Sequence, residues 1–177
     1  MDIQDLIPQV VQSIQTSGQV RPALYAAFDS GSVHRFPLFN FIGDGRMKAH
    51  VLFAEGRQAG QKHRERELRE TCLVTEVWLT REQGNPTPGS RPSAGVPQKE
   101  AVMFAIAVNS EPYQTLVKLY EIKRGKKGKA VELVSWNESI DPEGLMGLAF
   151  IAGWRSRTMS DAEVQQQQPH GMWAFLQ

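Results

Sequence analysis

The sequence predicts an α+β fold: a mainly antiparallel, meander-like sheet of four to six strands, an N-terminal amphipathic helix, and one or two further helices packed mainly on one face. Three observations predict it. Ile3, Leu6, Ile7, Val10, Val11 and Ile14 form one apolar stripe at helical spacing. Four β-prone runs follow, at 72–80, 101–108, 115–122 and 131–136, with no room between them for helical crossovers. A second apolar stretch, 144–154, comes after the last of these runs and needs a surface to bury itself on.

The first helix has its glutamines, Gln4, Gln9, Gln12 and Gln15, largely off the stripe. Asp2 can cap its start and Gly18 can close its end. Such a helix covers a sheet or docks on a partner. Next, 23–28 and 33–39 form a hairpin around Asp29-Ser30-Gly31-Ser32, whose chemistry is that of a turn. Gly43-Asp44-Gly45 then breaks the chain. The segment 46–62 can be read as strand or helix. The helix, from about 45 to 63 with Asp44 as cap, is preferred because Lys62, His63 and Arg64 suit a C-terminal turn. Gly56 and Gly60 weaken it by about 1 kcal/mol each. They lie four apart on one face, and close approach of the helix backbone to a strand is expected there.

In the run 72–80, Leu73, Thr75, Val77 and Leu79 point one way and Cys72, Val74, Glu76 and Trp78 the other. The run 101–108 is continuously apolar, as a strand buried on both faces requires. Between them, 83–99 holds prolines at 86, 88, 92 and 97, and is read as a long mobile Pro/Gly-rich loop inside the domain. Asp141-Pro142-Glu143 is a helix start for 144–154, although Gly144, Gly147 and Gly153 keep a strand open. Ser160 and Glu163 have capping-box spacing, for a short helix ending at Pro169. The C-terminal tail, 157–177, carries Met172, Trp173, Phe175 and Leu176, which are expected to dock on this chain or on a second copy.

The chain of 177 residues fits a single domain, 1–177, that needs no disulfide or metal to hold it. Lys and Arg number 20 against 19 Asp and Glu, so no global field points to a polyanion or a membrane. Asp2 and Asp5, without basic residues before Val11, do not make a signal peptide. No apolar run reaches the roughly 20 residues of a membrane span. With a single cysteine, these features point to a cytoplasmic protein with no membrane partner.

No catalytic constellation emerges, and no cofactor or metal is called for. Gly43-Asp44-Gly45-Arg46 is too short for a phosphate-binding loop. His34, His50, His63 and His170 are scattered, without metal-ligand spacing. Cys72 begins an apolar strand and reads as a small buried residue instead of a nucleophile. Asp29-Ser30-Gly31-Ser32 lacks the glycine pattern of a serine elbow. Glu76 is the acid of most interest: burial between Val74 and Trp78 would raise its pKa toward that of a general acid or base, although Lys118 on another strand could pair with it.

The strongest local signal is Lys123, Arg124, Lys126, Lys127 and Lys129, five cations around two glycines at a hairpin tip. They suit phosphate contacts, or simply keep a turn soluble. The functional expectation is a non-enzymatic binding or assembly protein that self-associates, as a homodimer, through Trp173, Phe175 and Leu176, with a protein partner as a further possibility. The alternative is a nucleic-acid or other polyanion binder using the basic hairpin 123–129. A small hydrolase or isomerase using Glu76 ranks below both.

Overall fold

A computed structural model of the chain describes residues 3–39, 41, 44–80, 87–88, 98–125, 131–135 and 145–176. In chain order the elements are α1 (Ile3–Ser17), β1 (Ala23–Phe28), β2 (Val33–Pro37), α2 (Gly45–Lys62), β3 (Leu68–Thr80), β4 (Thr87–Pro88), β5 (Gln98–Val108), β6 (Thr115–Arg124), β7 (Val131–Ser135), α3 (Leu145–Arg155) and α4 (Asp161–Gln167). Short 3-10 turns follow α3 and α4 at Ser156–Thr158, Gln168–His170 and Met172–Phe175. The sheet order is β2-β1-β3-β5-β6-β7, every pairing antiparallel, with the two residues of β4 on β3 beside this path. The α+β class and the meander from β3 onward are as expected.

Alternation along β3 sorts the core into two layers. Cys72 and Val74 face α1, where Ile3, Ile7 and Ile14 cover them together with Val102, Phe104, Ile106 and Ile122. Leu73 and Val77 face α2 and α3, with Leu24, Phe28, Leu52, Phe150, Ile151 and Trp154. Three helices therefore share one face and α1 has the other. This double cover explains why 101–107 is apolar without a break: Ala101, Met103 and Ala105 serve one layer, Val102, Phe104 and Ile106 the other. Each large side chain fully buried in this way contributes about 1.5–3 kcal/mol.

The segment after Asp44 is the preferred helix. Asp44 Oδ1 accepts from Met47 N at 2.8 Å, and His63 N closes the far end on Ala59 O at 2.9 Å. Gly56 and Gly60 do permit a close approach, but to a helix and not to a strand. A Cβ on Gly56 would stand 2.1 Å from Phe150 O, and one on Gly153 2.0 Å from Phe53 O, so α2 and α3 meet backbone to backbone. At Gly60 a Cβ would stand 2.8 Å from the Cβ of Arg157. The strand reading of 144–154 also gives way to helix from Leu145 on, Gly144 lying outside the described residues. Small residues on both helices bring their axes together, while Gly147 lets α3 sit on Ala107 of the sheet.

The capping box forms: Ser160 N donates to Glu163 Oε2 at 2.7 Å, and Glu163 N donates to Ser160 Oγ at 3.3 Å. Arg57 of α2 ties this region down, pairing with Asp161 at 3.0 Å and donating to Met159 O at 2.6 Å. The tail docks on its own chain. Phe175 and Leu176 are buried, and the Phe175 ring lies 4.9 Å from that of Phe53. Of the loop 83–99, only residues 87–88 and the start of β5 are among the described residues; the rest of it and the helix start 141–143 lie outside them. Among the described residues, no helix is long and apolar enough to cross a membrane.

Candidate functional site

At the end of the sheet where β3 begins and β5 ends, an open cleft of about 900 Å³ is framed by Arg69, Asn109, Arg155, Arg157, Gln167 and Phe175. Four elements build it. β3 supplies Leu68 and Arg69, the β5–β6 connection Asn109 and Ser110, the end of α3 Arg155, and the tail Ala174 and Phe175. The two strand ends are locked by Asn109, whose N donates to Arg69 O at 2.7 Å and whose Nδ2 donates to Leu68 O at 2.8 Å.

Asn109 also orients Arg155, taking its Nε–H on Oδ1 at 2.9 Å. Arg155 Nη1 donates to Leu176 O at 3.1 Å, and the guanidinium carbon lies 5.1 Å from the Tyr113 ring centroid. The Tyr113 hydroxyl donates to the same Leu176 carbonyl. Burial raises the Tyr113 pKa, against the opposing pull of Arg155. The partners of Arg155 are thus neutral oxygens and a ring. Arg157 differs: its Nη1 donates to Trp154 O at 3.3 Å and its Nη2 faces Glu67 at 3.6 Å. Glu70 shares the rim of the cleft, but its Oε1 accepts from Ile3 N of α1 at 3.1 Å, on the other side of the sheet.

The residues singled out in the sequence lie elsewhere. Glu76 is half-buried on the α1 face, and its pKa is raised by burial first and Glu100 second, against Arg124. Lys118 is not its cation, since Lys118 Nζ donates to Gln4 at 3.4 Å. Arg124 faces this pair of acids, forms a two-pronged ion pair with Glu100, and donates to Gly18 O at 2.8 Å, so it ties the end of α1 to the sheet. Within the basic hairpin, Lys123 pairs in register with Glu132, while Lys126, Lys127 and Lys129 lie outside the described residues. The hairpin end of β6 is the end opposite the cleft.

Cys72 is buried, and burial pushes its thiol up to about 12, with Glu70 adding to the effect. His34 and His63, far apart in the sequence, meet edge to face at 5.2 Å between ring centroids, so the four histidines are not all scattered. Arg66 Nη1 lies 2.7 Å from His34 Nε2; an arginine can only donate, so Nε2 accepts and the ring proton is on Nδ1. Among the described residues, no group of three or more His, Cys, Asp or Glu side chains is placed to hold a metal ion. Phe175 and Leu176 are taken up by their own core, and the Trp173 side chain lies outside the described residues.

Reading the sequence missed the cleft. Arg69 sits in an alternating run of arginines and glutamates, and Asn109 and Arg155 carry no motif. The usable signal was the pair of strand ends, which had to meet once 72–80 and 101–108 were paired. No protein-family model matches the chain, and no curated protein or solved structure matches it either.

Proposed function

We propose that this chain is a non-enzymatic binding protein and that its ligand sits in the cleft between the start of β3, the β5–β6 connection and the end of α3. One observation carries the reading: Asn109, Arg155 and Ser156, at the centre of the cleft's polar wall, are held in place by the fold itself. Arg155 is fixed by Asn109 and Leu176 O, and Ser156 Oγ is spent on Gly153 O at 2.7 Å. A preorganised wall of this kind lowers the cost of binding. Its side chains hold and orient; a serine whose hydroxyl is already donated inside a helix end is not an activated nucleophile. The apolar floor, Leu68, Val108, Met159 and Phe175, suits an organic body.

The test is amide NMR shift mapping with a mixed set of neutral and acidic fragments. Shifts confined to Leu68, Arg69, Asn109, Ser110 and Arg155 support the reading. Shifts elsewhere, or none, refute it.

A second reading, self-association, is favoured by Phe39 and Met47, which flank the start of α2 in sequence and are 80% and 59% exposed. Sedimentation of the wild type against Phe39→Ser with Met47→Ser separates the two. A dimer that dissociates in the double variant supports this second reading, and a monomer at high concentration removes it.

A further inference from the structure

Resting on the binding reading above, we propose that the cleft takes a small oxyanion, the carboxylate or phosphate of a small molecule, with Arg155 as its anchor and Arg69 as its second cation. The argument starts from the surroundings of Arg155. Two of its five N–H donors are used, on Asn109 Oδ1 and Leu176 O, both neutral. No carboxylate among the described residues pairs with it. A half-buried guanidinium has given up hydration, and hydrogen bonds to neutral oxygens do not restore a counter-charge. An oxyanion does, and the planar fork of arginine matches carboxylate and phosphate edge to edge.

Arg69 is coupled to Arg155 through a single residue. Asn109 takes Arg69 O with its backbone N–H and Arg155 Nε with its side chain, so the backbone of Arg69 and the guanidinium of Arg155 are referred to one rigid point at the rim, and the exposed Arg69 side chain is left to turn to a ligand. The two acids of the lining have partners of their own. Glu67 is turned to Arg157 at 3.6 Å with its side chain 73% exposed, and Glu70 accepts from α1 across the sheet. Ser110 and Gln167 add neutral donors, and the apolar floor gives the ligand a body to bury. A bare polyanion would gain nothing from that floor, which favours a small organic acid or phosphate ester.

Calorimetric titration in a low-chloride buffer tests this, with inorganic phosphate, benzoate and neutral benzamide as probes. The proteins are the wild type, Arg69→Gln, Arg155→Lys and, far from the cleft, Lys123→Gln. Phosphate or benzoate is expected to bind, with affinity reduced about tenfold or more in Arg69→Gln and in Arg155→Lys, each charge-assisted contact being of that order. Lys123→Gln is expected to bind as the wild type does. Arg69 is exposed, so its variant keeps the test valid even if Arg155→Lys loosens the tail. Anion affinity unchanged in Arg69→Gln and Arg155→Lys overturns the proposal. Binding of benzamide alone, with shifts at the cleft, also overturns it but leaves the binding reading standing. No binding by any probe, together with no fragment shifts at the cleft, removes both.

Discussion

Gly153 of α3 lies directly on the Phe53 carbonyl of α2, where a Cβ would stand 2.0 Å from the oxygen. Two effects of Gly153→Ala oppose each other. Helix propensity favours alanine by about 1 kcal/mol. The clash is with backbone, which cannot rotate away, so the helices must separate, at the upper end of the roughly 1–3 kcal/mol that overpacking costs. The clash wins, and the variant is expected to unfold at clearly lower urea. Gly56→Ala, against Phe150 O, is expected to do the same. An alanine variant as stable as the wild type would mean that α2 and α3 do not meet as described.

The histidine pair predicts an acid-sensitive corner. The His63 pKa is lowered by burial first, then by His34, Arg66 and Lys62. The folded state therefore holds the neutral ring to lower pH than the unfolded chain does. As pH falls through the ordinary histidine value near 6.5, the unfolded chain takes up its proton first and stability drops. Below the folded pKa the loss levels off. Urea unfolding at pH 7.5, 6.5 and 5.5 should show this decline in the wild type and a flatter profile in His63→Gln. Equal slopes in the two proteins would remove His63 as the cause.

Cys72 is 1% exposed, and its thiol is pushed up to about 12. Thiolate is the reactive form, so at pH 8 a thiol reagent should label the folded protein orders of magnitude more slowly than the urea-unfolded chain. Similar rates in both states would show that α1 lifts easily from the sheet. Truncation to alanine removes one sulfur from a well-filled layer and should cost about 1–2 kcal/mol.

Much of the fold was legible because it is local. Alternation in 72–80 placed Leu73 and Val77 opposite Cys72 and Val74, and the structure keeps that division. Asp44, and Ser160 with Glu163, marked their helix starts by side-chain chemistry alone. What stayed hidden depends on which surfaces meet. Gly56 announced a close approach but not that α3 would fill it. Arg124 looked like one of five equivalent cations, and only the pairing of β5 with β6 brought Glu100 to it. The cleft is the extreme case. Arg69, Asn109 and Arg155 come from a strand, a connection and a helix end, and each alone resembles an ordinary solvated polar residue.

The central claim, that Arg155 and Arg69 form an oxyanion site in the cleft, is tested most directly by watching the arginine Nε resonances by 15N NMR while inorganic phosphate is added. Saturable shifts of Arg155 and Arg69, with Arg21 and Arg46 unmoved, are the predicted result. Shifts confined to other arginines, or no saturable shift at Arg155, would contradict it.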